Sequence, residues 1–91
     1  MVCKKCLIGG RVQGVFYRAS AMRRAHELGI CGYARNLPDG RVEVLACGEQ
    51  QAVGTFLEWL WTGSAASKVT SVQVSDAAAE LAAVRDGFHT G

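Results

Sequence analysis

Two short stretches of this sequence hold residues whose types and spacing suit the binding of an oxyanion. In GGRVQGVFYR, residues 9–18, Gly9, Gly10 and Gly14 bracket what would otherwise read as a strand, and Arg18 follows as a helical pattern begins. A chain that runs through glycines into a helix start presents backbone N–H groups that lack intrahelical partners, at the positive end of the helix dipole. Gly14 permits a positive φ and lets a ligand approach the backbone with no Cβ in the way. Arg18, four residues past Gly14, carries a planar guanidinium fork that matches two phosphate oxygens. The backbone amides of this turn would form a cup, with Arg18 as its counter-charge. The same residues also suit a plain strand-to-helix turn followed by a surface arginine, and at this point both readings stand. A P-loop is excluded, because no Gly-Lys-Ser/Thr follows, and the glycines do not space as a dinucleotide fingerprint.

The second stretch is GYARNLPDG, residues 32–40. Asn36 lies near the end of a strand-like run, just before Pro38-Asp39-Gly40. Asparagine is a favoured turn residue. Its neutral amide can also hold a water, donating one hydrogen bond and accepting another.

The elements that must position these residues follow from the hydrophobic pattern. Lys4–Val12 reads as a first strand and Phe16–Leu28 as a helix, with Met22, Ala25 and Leu28 on one stripe and Gly29 as its stop. Cys31–Leu37 and Arg41–Cys47 read as a hairpin around the Pro-Asp-Gly turn. Gln50–Trp61 is a second helix, its core stripe Val53, Phe56, Leu57 and Leu60, ended by Gly63. Lys68–Ser75 is a fourth strand whose alternation breaks at Ser71. Ala77–Val84 favours helix by propensity, and Gly87–Gly91 has room for only a brief last strand. The order β-α-β-β-α-β predicts an α+β, ferredoxin-like (split βαβ) sandwich, an antiparallel sheet with two helices on one face.

Ninety-one residues suit one domain spanning 1–91, and 49% hydrophobic against 20% charged residues argues against disorder. A net charge of +2 is too mild for a general nucleic-acid surface, so no nucleic acid is expected. No apolar run approaches the ~20 residues of a membrane span. The opening MVCKKCLIGG has too short an apolar stub for a signal peptide, so the cytoplasm is the expected compartment. Cys3 and Cys6 form a C-x-x-C, but Cys31 and Cys47 stand sixteen positions apart rather than as a second close pair. Residues three apart on a strand also point to opposite faces. Buried or half-buried reduced thiols are therefore expected, with no metal site and no cofactor. Of the two tryptophans, Trp59 and Trp61, one should pack and the other stay partly exposed. His26 and His89 are expected to be solvated.

Taken together, GRVQGVFYR and GYARNLPDGRVEVLACG resemble the acylphosphatase family. The first follows that family's glycine-x-valine-glutamine-glycine-valine-x-aromatic-arginine signature. The second follows its glycine-aromatic-x-basic-asparagine-x-x-x-glycine-x-valine pattern and closes at Gly48. The resemblance extends over about the whole chain. It implies metal-free hydrolysis of the carboxyl–phosphate bond of a small-molecule acyl phosphate. Arg18 would bind the phosphate with the Gln13–Tyr17 amides, Asn36 would position the water, and phosphate or sulfate would occupy the same cup. A monomer is expected.

Three departures from the family pattern stand out. Tyr17 replaces the usual Phe or Met and brings a hydroxyl that needs a partner if buried. Gly63-Ser64-Ala65-Ala66 lacks the proline common after the second helix, which predicts a looser loop. The C-terminal Gly87–Gly91 is short, which predicts a less firmly held Arg18. Two alternatives remain at this level. One is an acylphosphatase-like domain acting on carbamoyl phosphate within a larger carbamoyltransferase. The other is a noncatalytic ferredoxin-like module, for example an RNA binder, which would want exposed aromatics on the central strands.

Overall fold

The computed structural model describes residues 1–78 and 87–90. Its elements are β1 (Val2–Arg11), α1 (Tyr17–Leu28), β2 (Cys31–Asn36), β3 (Val42–Gly48), α2 (Gln50–Thr62), β4 (Lys68–Asp76) and β5 (Phe88–Thr90). The strands form one sheet in the order β4-β1-β3-β2-β5. Ala21 and Ala25 of α1 and Val53, Phe56 and Leu60 of α2 share one core with Cys6, Ile8, Ala34, Val42, Val44 and Ala46 of the sheet. Both helices therefore cover the same face, as the pattern predicted. A smaller cluster of Cys3, Leu45, Cys47 and Ala77 buries part of the opposite face.

The expected antiparallel sheet needs one correction. β1 pairs antiparallel with β3 and β4, and β2 with β3, but β5 pairs parallel with β2. The chain leaves β4 at one edge of the sheet and must reach the other edge. There it runs alongside β2 in the same direction. Phe88, buried in that last strand, packs edge-on against Phe56 with ring centroids 5.7 Å apart, so even this brief strand contributes to the core. The helix expected over Ala77–Val84 falls, beyond position 78, outside the described residues.

The glycines of the opening motif do not all belong to one turn. Gly9 and Gly10 lie within β1, where its pairing with β4 slips by one residue. Gly10 has φ +115°, and a Cβ there would collide with the Lys68 carbonyl oxygen. The slip explains the break in alternation at Ser71, because it lets Val69 and Val72, three apart, both pack on the helix-covered core. Only Gly14 is left for the turn itself.

α1 ends in a Schellman arrangement, with Gly29 left-handed at φ 70° and the Ile30 N–H donating to the Ala25 oxygen at 2.8 Å. α2 buries Val53, Phe56 and Leu60, with Leu57 partly covered. Trp59 packs against Phe56 and Tyr17, while Trp61 is 53% exposed, the division expected of the two tryptophans. Among the described residues, no helix is long and apolar enough to cross a membrane.

The expectation of four reduced thiols is corrected as well. Cys3 and Cys47 form a disulfide between β1 and β3, while Cys6 is a buried thiol and Cys31 a half-buried one. Cys3 and Cys6 do face opposite sides, so the C-x-x-C is no chelating pair. The pairing depends on strand register: Cys3 lies directly opposite Cys47, a relation invisible from a separation of 44 positions. Closing a loop of that length stabilises a fold by roughly 2–4 kcal/mol.

Candidate active site

β1 and β2 run in the same direction on either side of β3, so their C-terminal ends lie at one end of the sheet. The strand-to-helix loop after β1 and Asn36 at the end of β2 therefore share that end. Asn36, Val42 and Ile8 form one row across β2, β3 and β1. Val42 and Ile8 belong to the helix-covered core, so Asn36 is the exposed end of a row on that face. α1 starts at the same end.

The loop itself is built from alternating anchors and exposed positions. Gly14 (φ +72°) and Phe16 (φ 61°) are both left-handed and both exposed. For a bulky side chain this backbone is an outlier costing about 1–3 kcal/mol, a cost that structures tolerate mainly where function requires the geometry. Phe16 is 81% exposed and caps α1 without any side-chain hydrogen bond to its N-terminal turn. Gln13, Val15 and Tyr17, the alternate positions, are tied down. The Gln13 Nε2 donates to the Leu37 and Arg41 carbonyl oxygens at 2.8 and 2.9 Å. The Val15 carbonyl accepts the Ser64 hydroxyl at 2.6 Å. The buried Tyr17 hydroxyl donates to the Leu60 carbonyl oxygen at 2.7 Å, in the last turn of α2, and burial pushes its pKa well up.

Two of the three departures thus acquire partners. The extra hydroxyl of Tyr17 is satisfied by a carbonyl at the end of α2, where intrahelical donors run out. The loop after α2, expected to be loose without its proline, is fastened by serines instead. Ser64 holds the Val15 carbonyl, and Ser67 donates its hydroxyl to the Ser64 oxygen at 2.7 Å.

A cavity of about 280 Å³ opens against this loop, lined by Val12, Gly14, Phe16, Tyr17, Arg18 and Ala19. Arg18 sits half-buried in the first turn of α1, on the wall that Gly14 begins. A backbone wall, a helix N-terminus and a guanidinium around one cavity can hold a small oxyanion.

Asn36 takes no part in the hydrogen bonds that close its turn. The Leu37 N–H donates to the Arg41 oxygen at 2.8 Å and the Gly40 N–H to the Leu37 oxygen at 3.1 Å. Asp39 accepts from the Arg41 backbone N–H and guanidinium at 3.0 and 2.8 Å, the backbone bond chiefly holding its carboxyl below the usual range. The side-chain chemistry of this turn belongs to Asp39.

From the sequence, Gln13 is expected only as a backbone donor. Its side chain is the strap that joins the cup to the Asn36 turn, through two carbonyls of that turn. A glutamine just before the turn glycine Gly14 carries little local signal for this role, because its partners lie 24 and 28 positions away. The role of Ser64 was missed for the same reason.

The acylphosphatase family model matches residues 4–90. An acylphosphatase of Chromohalobacter salexigens is 55% identical over 75 residues, covering 82% of this chain and 83% of that protein. One of Nitrosococcus oceani is 53% identical over 73 residues, covering 80% and 82%. The crystal structure of acylphosphatase from Bacillus subtilis superposes with a TM-score of 0.93 at 33% identity, covering 100% of this chain and 99% of that one.

Proposed function

Because this chain belongs to the acylphosphatase family and is an acylphosphatase enzyme, we propose that it hydrolyses the carboxyl–phosphate bond of small acyl phosphates with the residues gathered at this end of the sheet. The phosphoryl group sits in the cavity against the Gln13–Tyr17 backbone and the first turn of α1, with the Arg18 fork on its oxygens. Water, held by the Asn36 amide, attacks phosphorus in line with the departing acyl oxygen. Phosphoryl transfer asks for positioning and charge stabilisation more than for covalent help. The leaving group departs as a carboxylate, already a weak base, so no strong general acid is needed. The water's proton passes to a phosphate oxygen. Inorganic phosphate or sulfate binds the same cup as a product-like ligand, and the chain works as one domain, a cytoplasmic monomer.

The observation that carries this reading is the Gln13 strap, which couples the cup to the turn bearing Asn36. Replacing Gln13 by alanine should lower kcat roughly 10-fold or more through misplacement of Asn36. Inhibition by phosphate should hardly change. The carbonyls of Leu37 and Arg41 keep their backbone partners, so the stability lost should be only about 1–2 kcal/mol. Steady-state kinetics with phosphate as inhibitor, beside denaturant unfolding, separate the two effects.

No metal takes part in this scheme. Asn36 is a neutral residue and a poor cation ligand, and the charge on the phosphoryl group is met by Arg18 and amides. Among the described residues, no group of three or more His, Cys, Asp or Glu side chains is placed to hold an ion. Hydrolysis of an aryl acyl phosphate should therefore be unchanged by EDTA, and a phosphate monoester should not be turned over. Loss of turnover with EDTA, restored by magnesium or zinc, would overturn the metal-free scheme.

A further inference from the structure

Three of the four cysteines stand in one row across neighbouring strands. Cys47 of β3 faces Cys3 of β1 on one side and Cys31 of β2 on the other. Directly opposed residues present their side chains on the same face of a sheet. Cys3 and Cys47 lie on the face away from the helices, with Tyr33 packed beside them, so Cys31 lies there too. Along the row the sulfurs come in the order Cys31, Cys47, Cys3.

Backbone hydrogen bonds set the two spacings. The Cys3 carbonyl accepts the Ala77 N–H at 3.0 Å, turned away from β3. Cys3 and Cys47 are thus a close, non-hydrogen-bonded pair, with Cα atoms 4.1 Å apart. On the other side, the Gly32 N–H donates to the Gly87 oxygen at 3.1 Å, away from β3. Its neighbour Cys31 therefore turns its own N–H and C=O toward β3, and Cys31 and Cys47 are a wide pair of about 5.5 Å. That separation lies within the range of roughly 4.4–6.8 Å that disulfides span.

Access differs along the row. Cys3 and Cys47 are fully buried, so a dissolved thiol cannot reach their bond. Cys31 is half-buried and reaches solvent. Cys6 is no competitor: it is fully buried on the helix-covered face, and burial pushes its thiol up to about 12.

We propose that Cys31 is a thiol–disulfide exchange site through which small-molecule thiols open the buried Cys3–Cys47 bond. The Cys31 thiolate attacks the Cys47 Sγ, the Cys31–Cys47 bond forms as the Cys47–Cys3 bond breaks, and the electron pair leaves on the Cys3 sulfur, which takes up a proton. One disulfide and one thiol are present before and after, so this step consumes no oxidant or reductant. A small thiolate then attacks the half-exposed Cys31 sulfur, giving a mixed disulfide there and releasing Cys47. A second thiolate displaces Cys31, leaving the three cysteines of the row as thiols and one small-molecule disulfide. Attack at the middle sulfur needs attacker, centre and leaving group in sequence, which is the order of the row.

The test uses the oxidised full chain and 2-mercaptoethanol under native conditions. Acid quenching, alkylation and peptide mass mapping follow the Cys3–Cys47 bond with time. Cys31→Ser should lose that bond at least 10-fold more slowly than the unsubstituted chain, with global stability shown equal by denaturant unfolding. Equal rates would mean that the bond opens by unfolding and would overturn the relay. A second variant tests the wide pair alone: Cys3→Ala, treated with diamide while folded, should form a Cys31–Cys47 disulfide. Its failure to form would overturn the proposal as firmly. Neither readout uses catalysis, so both stand apart from the assignment of Arg18 and Asn36.

Discussion

Replacing Arg18 by alanine is expected to lower kcat/KM for an aryl acyl phosphate by about 10²–10³ or more and to weaken inhibition by inorganic phosphate in parallel. The guanidinium is proposed to contact the phosphoryl oxygens in the ground state and in the transition state. Its loss should therefore appear in binding and in chemistry together. Arg18 sits in the first turn of α1 beside the left-handed Gly14, on the wall of the cavity. Its backbone is held by its neighbour Tyr17, whose ring is buried and whose hydroxyl is bonded to Leu60. The alanine variant should accordingly keep its secondary structure by circular dichroism. Arg18→Lys should recover less than a tenth of the loss, since a point charge does not reproduce a planar two-point contact. An Arg18→Ala variant that bound phosphate normally would remove the fork from the phosphoryl group.

What could be read from residues alone divides along a physical line. Local periodicity located both helices and four strands to within about two residues, because 3.6- and 2-residue repeats are written directly in the chain. The shared location of the cup and Asn36 rests on the spatial strand order, in which β1 and β2 flank β3 and run the same way. Contacts set by register or by a long reach were not legible. The Cys3–Cys47 bond and the slip at Gly10 depend on how β1 lines up with its two neighbours. A one-residue shift would undo either. Gln13 and Ser64 act across the fold on backbone carbonyls, which carry no residue identity for a sequence to announce. The direction of β5 depends on a crossing from one sheet edge to the other, which its few residues do not encode. Ser71 was the one long-range feature with a visible trace. Its break in alternation marked the slip without revealing which strand had yielded.

Asn36→Ala should cut kcat by about 10²–10³ while leaving competitive inhibition by phosphate nearly intact. The amide is proposed to touch the attacking water and not the phosphoryl group, so its removal spares the ground-state complex and leaves the nucleophile unplaced. A stability artefact is the competing explanation, since Asn36 adjoins the hairpin turn. The turn, however, is closed by Leu37, Gly40, Arg41 and Asp39 and braced by Gln13, with no bond from the Asn36 side chain in that set. Asn36 is also exposed, so alanine loses little buried surface there. The variant should thus unfold within about 0.5 kcal/mol of the unsubstituted chain. Asn36→Asp supplies the complementary case. It keeps the shape, cannot donate a hydrogen bond when ionised, and sets a negative charge near the bound phosphoryl group. It should lose turnover at least as severely as alanine and should also weaken phosphate binding, with the weakening relieved by added salt. A folded Asn36→Ala that kept most of its turnover would return the asparagine to its role as a turn residue, and the attacking water would need another holder.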